Sequence, residues 1–254
     1  DADAILTAEL RADYLRFGIS SGYHEAYADL QTAEYILKQD ISLTNSRDGN
    51  ETFQGIPNFA GTFDGQGRTI TVDFTLAGTQ SGSAQFGCLF KTLGTARTGS
   101  DEAKGATVKN LYLSGRLVTG AGGLTVAGGL QDIGVLAGAS AAADHTLENI
   151  VTDVETDLTI LSGDTSTCAY VGALVGRMNS GTGSVVKNCV NRGSLTVNYQ
   201  NMTANGGGRL GGLAGHVYSG VHFVGCTNSG SVSTADSDEN RTNAGGLAGS
   251  GGGL

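Results

Sequence analysis

Asp153, Glu155 and Asp157 stand at alternate positions of "TDVETD", the densest run of groups in this chain that could do chemistry. Alternate positions of a β-strand lie on one side, so the three carboxylates would share a face. In that arrangement they could bind calcium, which prefers oxygen ligands, or supply the acid and base of a glycosidase. The solvated outer face of a strand produces the same pattern and is the simpler reading. The histidines His24, His145, His216 and His222 are scattered, and none belongs to an HExxH. They read as surface or loop side chains. Cys88, Cys168, Cys189 and Cys226 lack the CxxC spacing of a zinc site. Asp64 in "FDGQG" reads as an Asx-type turn. No catalytic, cofactor-binding or metal residue is assigned, and no cofactor is expected; the acidic trio is the candidate that remains.

Something must position such residues, and the composition narrows what. The 254 residues include 42 glycines, one proline and no tryptophan. Glycine is more than twice its usual ~7%, yet the glycine-every-third period of collagen is missing. The formal charge of −9, with 24 acidic and 15 basic side chains, argues against sequence-independent nucleic-acid binding. No apolar run approaches the ~20 residues that cross a bilayer, so no membrane insertion is expected in this segment. Beginning at Asp1 without a signal-like segment, the chain reads as a mature or excised form.

Internal repetition supplies the architecture. "FGCLF", "IGVLAG", "VGALVG", "LGGLAG" and "AGGLAG" place their first glycines at Gly87, Gly134, Gly172, Gly211 and Gly245, in steps of 47, 38, 39 and 34 residues. Between them runs a second motif, "VKNLYLSGRL", "LENIVTDVET", "VKNCVNRGSL" and "FVGCTNSGSV". Its third positions are Asn110, Asn149, Asn188 and Gly225, in steps of 39, 39 and 37 residues. One apolar column is Val108, Leu147, Val186 and Phe223, and another is Leu111, Ile150, Cys189 and Cys226. Positions three apart lie on opposite faces of a straight strand. The chain therefore bends between them, at the Asn column, where a left-handed backbone is tolerated and stacked amides can bond from layer to layer. Cys189 and Cys226 then stand where other coils place an aliphatic, and free thiols pack as small hydrophobes; a disulfide between them is conceivable but of poor geometry. The column Leu89, Leu136, Leu174, Leu213 and Leu247 is expected to point inward, with its flanking glycines allowing a tight bend or close layer approach. Tyr112, Tyr170, Tyr199 and Tyr218 are candidates for a sugar-stacking surface, although they are not clustered in the sequence.

Residues 1–34 fall outside the repeat. "ILTAELRADYLRF" carries Ile5 or Leu6, Leu10, Tyr14 and Phe17 at helical spacing, which predicts a helical cap over the first coil of a solenoid spanning 35–254. The last coil, ending at "GSGGGL", reads as incomplete.

"YILKQDISL", "FAGTFDGQGRTITV" and the repeated "GxLxG" with "KNCVNRGSL" resemble the GLUG-motif proteins of bacteria, over roughly residues 35–254. Members of that family occur in large surface and secreted proteins, including adhesin-like proteins and the non-catalytic portions of immunoglobulin-A-cleaving metallopeptidases. The resemblance implies an all-β fold, a right-handed parallel β-helix, outside the cell and often as one module of a longer multidomain chain. Val154 in place of the usual glycine and Gly225 in place of Asn depart from the pattern. The function expected is non-enzymatic: a rigid stalk or adhesin-like binding module whose partners are glycans or host surface proteins. The alternative is a polysaccharide-degrading lyase or glycosidase on the same scaffold, since one fold hosts both.

Overall fold

Parallel strands stacked coil upon coil make up three sheets that run the length of the molecule. The structure is a computed structural model that describes residues 31–44, 46–47, 51–52, 55–97, 99, 101–163, 167–179, 183–202, 207–236 and 242–251. Each full coil has one long edge and two short ones. In the fourth coil these are Thr146–Ser162, Cys168–Gly172 and Val175–Met178. The third coil is Thr107–Ala127, Leu130–Gly134 and Ala137–Ser140, and the second is Thr62–Ser81, Ala84–Gly87 and Phe90–Leu93. In the fifth and sixth coils the long edge breaks into three short strands, before Gly207–Gly211 with Ala214–Val217 and Asn243–Gly245 with Ala248–Gly251. The long edges form an 11-stranded first sheet, and the short edges form a second and a third sheet of five strands each. This is an all-β, solenoid-like architecture. Among the described residues its strand pairs are parallel apart from a small hairpin, Ser46–Arg47 with Glu51–Thr52, and an isolated antiparallel bridge between Thr95 and Lys104.

Alternation makes the long edges strands. Along Thr146–Ser162 the side chains of Thr152, Val154, Thr156, Leu158 and Ile160 are buried while Asp153, Glu155 and Asp157 are exposed. The bend is where the columns place it. Asn110, Asn149 and Asn188 have φ of 55°, 55° and 52°, and Gly225 has 63°. Leu147 and Ile150, on either side of Asn149, are consequently both buried. Leu111 pairs with Ile150 in register, and the neighbouring rungs carry the same column on to Cys189 and Cys226.

The amides are stacked as well. Asn149 Nδ2 donates to Asn110 Oδ1 (3.0 Å), and Asn188 Nδ2 donates to Asn149 Oδ1 (3.2 Å). Asn110 Nδ2 donates to Asp64 Oδ1 (3.1 Å), where the ladder begins. Asp64 also closes the Asx-type turn, accepting from the Gln66 N–H at 2.9 Å. Burial pushes its carboxyl up, but the Gln66 N–H, the Asn110 amide and the Lys109 ammonium outweigh that and hold it below the usual carboxylate range.

A second polar ladder lies inside the molecule, unannounced by the periodicity. The column that is Ile70 and Leu113 in the earlier coils becomes Thr152, Asn191 and Asn228 in the later ones. Thr152 and Asn191 are fully buried. Thr152 Oγ1 donates to Asn191 Oδ1 (2.9 Å), and Asn191 Nδ2 donates to Asn228 Oδ1 (2.8 Å) and to the Gly193 carbonyl (3.0 Å). Each buried polar side-chain atom of Thr152 and Asn191 is matched, which is the condition for keeping such groups in a core.

The GxLxG segments form the corner between the second and third sheets. Leu89, Leu136, Leu174 and Leu213 are buried there, as the inward column requires. Corner backbones bond from coil to coil, Leu136 N–H to Leu174 carbonyl and Leu174 N–H to Leu213 carbonyl, each at 2.9 Å. The glycines are needed for space. A Cβ at Gly138, Gly176, Gly215 or Gly249 would run into the backbone of a second-sheet strand in the preceding coil. At the other end of the stack, Tyr35, Phe59, Phe63 and Phe90 pack as an aromatic group under Glu34–Ile36 and Ile41–Thr44.

The helical cap expected over residues 1–34 falls outside the described residues except for 31–34, and Glu34 already belongs to a strand. No helical cap is seen among the described residues.

Candidate functional site

The acidic trio projects from the exposed face of the first sheet. Tyr112 Oη donates to Asp153 Oδ2 (2.7 Å). Glu155 lies in register with Arg116, which in turn bonds to Asp73 in the coil before (2.6 Å). Asp157 faces Val118 on one side and Thr196 on the other. The carboxylates therefore alternate with a guanidinium and with hydroxyls along the ladder. Among the described residues no group of three or more His, Cys, Asp or Glu side chains is placed to hold a metal ion.

The thiols are free. Cys88 and Cys189 are buried in the core, and the Cys226 thiol bonds to the Val186 carbonyl at 3.1 Å. A hydrogen bond that the Cys189 S–H donates to Cys226, together with burial, holds the Cys189 thiol far above its usual pKa. These are packing groups. The gap lined by Phe74, Leu76, Phe86, Cys88 and Leu117 has no room for a water molecule.

The histidines divide. His24 lies outside the described residues, and His222 is exposed. His145 is a correction to the surface reading: its side chain is buried at the turn into the fourth coil. Nδ1 accepts from the Ala106 N–H (3.1 Å), so Nε2 carries the proton and donates to the Ala141 carbonyl (3.0 Å). Both ring nitrogens are used by the neutral form, and burial lowers the pKa. A lone histidine in "ADHTL" carries no sign of this role, which is set by the Ala141 carbonyl four residues before it and the Ala106 N–H 39 residues away.

His216 belongs to a different setting. On the second sheet Asp132, Tyr170 and Arg209 occupy one column of successive coils. On the third sheet Arg177 and His216 occupy another, followed by Ser250. The two columns touch with a stagger of one coil. Arg177 of the fourth coil donates through Nε and Nη2 to Asp132 Oδ2 of the third, at 3.1 and 2.9 Å. His216 of the fifth coil stacks on Tyr170 of the fourth, ring centroids 5.0 Å apart and inclined 25°. The Tyr218 ring stands edge-on to His216 at 4.6 Å, and His216 Nδ1 shares a hydrogen bond with Ser250 Oγ (2.6 Å). The stagger is the one seen at the corner glycines, where Gly176 meets Ile133 and Gly215 meets Val171.

Two of the four tyrosines singled out above, Tyr170 and Tyr218, are thus brought together. Tyr112 is on the first sheet, and Tyr199 is fully buried. The aromatic–arginine cluster is the arrangement that sequence reasoning missed. The contacts that join its members across coils, Arg177 to Asp132 and His216 to Tyr170, span 45 and 46 residues, and only the one-coil stagger makes them neighbours.

Electrostatics in the cluster follow from burial. Asp132 is wholly inaccessible to solvent, and its Oδ1 has no hydrogen-bond partner. Desolvation raises its pKa to about 6, against the opposing pull of Arg177 and Gln85. Burial lowers the pKa of His216, and the positive charges of Arg209 and Arg177 lower it further. Burial likewise lifts Tyr170 to about 12.

A prediction follows for pH. An acid whose folded pKa is raised binds more protons in the native state than in the unfolded one. Its contribution to stability is full below the ordinary value of 3.8 and is lost as pH rises through about 6. His145 works in the opposite sense, losing its contribution as pH falls below 6.5. Comparison with Asp132→Asn separates the two. Denaturant titrations at pH 4.5 and pH 7.5 are expected to show the wild type losing stability relative to the variant as pH rises. A constant difference would contradict the burial assigned to Asp132.

Comparison of the chain with protein-family models, with curated proteins and with solved structures finds no match.

Proposed function

We propose that this chain is a non-enzymatic module of a bacterial surface-displayed or secreted protein, a right-handed parallel β-helix of the GLUG-motif kind that serves as a rigid stalk or adhesin-like binding domain within a longer polypeptide. Glycans or host surface proteins are its partners. The observation that carries the reading is the uninterrupted stack, in which backbone ladders and the Asn110–Asn149–Asn188 amides hold each coil at a constant offset from the next. Such a frame presents side-chain columns at regular spacing over several coils, which suits extended contact with a linear ligand. The exposed carboxylates give no support to hydrolysis, because Asp73, Arg116 and Glu155 alternate in sign along one column instead of converging on a cleft. Among the described residues no helix is long and apolar enough to cross a membrane.

A glycan array read beside a reducing-sugar release assay tests the proposal. Retention of glycans without release is the expected result. Release of sugar that disappears in Asp153→Asn, Glu155→Gln or Asp157→Asn would replace it with the polysaccharide-degrading alternative.

A further inference from the structure

Among the described residues only two large hydrophobic side chains are exposed, Tyr218 at 39% and Val224 at 50%. Val224 sits on the last coil. Tyr218 does not; it stands beside His216 and completes a run of three touching rings with Tyr170. Two guanidiniums flank this run. Arg209 follows Tyr170 in its column, and Arg177 precedes His216 in the adjoining one.

We propose that Tyr170, Arg177, Arg209, His216 and Tyr218 form a binding subsite for a carboxylated sugar, a uronic or sialic acid unit of a larger glycan. The inference rests on the reading of the chain as a glycan-binding module and names the chemistry that module selects. A partly exposed tyrosine ring offers an apolar face on which the C–H face of a pyranose can pack while its phenol hydroxyl stays hydrated. A guanidinium presents paired N–H donors that match a carboxylate, which is why arginine recurs where planar anions are recognised. Here two arginines stand within the electrostatic reach of one imidazole. Arg177 is tied to Asp132 through Nε and Nη2, and Arg209 donates through Nη1 to the Gly208 carbonyl at 3.0 Å. Arg209 is therefore the arginine assigned to the carboxylate, and Arg177 supports the ring stack.

The neighbours support a stacking role for His216. Burial and both arginines keep its ring uncharged near neutral pH, so it extends the aromatic surface without adding a cation. Asp132, beneath Arg177, holds the guanidinium through Nε and Nη2 and sets its plane. Tyr170, Arg177, Arg209 and His216 are on strands locked by parallel ladders on both sides. Little ordering is left to be done on binding, and preorganisation of this kind favours affinity.

The test is calorimetric titration with three ligands: an oligogalacturonate, its methyl ester and a sialylated oligosaccharide. The free acid or the sialylated chain is expected to bind, and which of them binds identifies the sugar. Esterification is expected to weaken binding by about tenfold or more, because it removes the charge that Arg209 recognises. Tyr218→Ala and Arg209→Gln are each expected to weaken it by about tenfold or more, with Tyr218→Phe and the first-sheet variant Asp153→Asn close to wild type. Tyr218 is exposed, so Tyr218→Ala decides the matter if Arg209→Gln fails to fold. Equal binding of acid and ester, or full binding by Tyr218→Ala, would overturn this subsite and leave the binding module intact. Retention of no glycan on the array would sink both.

Discussion

Gly176→Ala is expected to prevent the solenoid from closing, with a loss of stability above about 4 kcal/mol and no cooperative thermal transition at 37 °C or higher. The added methyl would lie 2.6 Å from the Gly138 carbonyl oxygen and 2.8 Å from the Asp132 carbonyl carbon, and nearer still to the Ile133 nitrogen. All three obstacles are backbone. They are held by ladders on both sides, so no rotamer change can relieve the contact. Gly215→Ala meets the same obstacles one coil later, at 2.5 Å from Val171 N and 2.7 Å from the Gly176 carbonyl oxygen. Gly122→Ala is the control, since a Cβ there has nothing within 4 Å. Circular dichroism melts of the three variants check the claim. A folded Gly176→Ala with a wild-type midpoint would mean that the second and third sheets do not approach as closely as they do here.

Asn149→Leu should destabilise by about 2–3 kcal/mol, from about 1–2 for forcing a branched residue into the left-handed region and the rest from two lost amide bonds. The position has φ of 55°, and its amide both donates to Asn110 and accepts from Asn188. Asn149→Gly separates the two causes. Glycine keeps the bend at no steric cost, so only the ladder is lost, at about 1 kcal/mol in this exposed setting. The sixth coil already makes that exchange with Gly225 at φ 63°. Urea unfolding of both variants reads the difference directly. If Leu and Gly cost the same, the bend does not depend on a left-handed residue.

Much of this frame was legible because stacking imposes the same demand on every coil. Leu111, Ile150 and Cys189 pack in one row because the residue before each turns left-handed, and a recurring Asn between two apolar columns three residues apart signals that turn. The corner was legible for a similar reason. Leu between glycines recurs wherever two sheets must meet within a few residues. Val154, which replaces a glycine, is buried like Thr152 and Thr156 on the same face and has no positive φ; the strand runs straight through it.

Features that occur once were not legible. The burial of His145 depends on Ala106 and Ala141, neither of which has a functional group to notice. Nothing in "NCVNRG" sets Asn191 apart, yet it bonds inside the core because Thr152 and Asn228 occupy the same column in adjoining coils. Asp132 in "LQDIG" gave no hint of an ion pair 45 residues away. Periodicity reports what a coil shares with its neighbours, whereas the aromatic–arginine cluster consists of what each coil does differently at the same two columns.

The outer amide row has a consequence for how such chains change over generations. Asn149 gives one hydrogen and takes one, so a coil built on it can be duplicated or excised without stranding a donor or an acceptor. Asp64 is not interchangeable in this way: its ionised carboxylate only takes, and the row can start from it but cannot pass through it. Unequal recombination should therefore vary the number of Asn-bearing coils freely, while the Asp-bearing block stays a single copy at the head of the series.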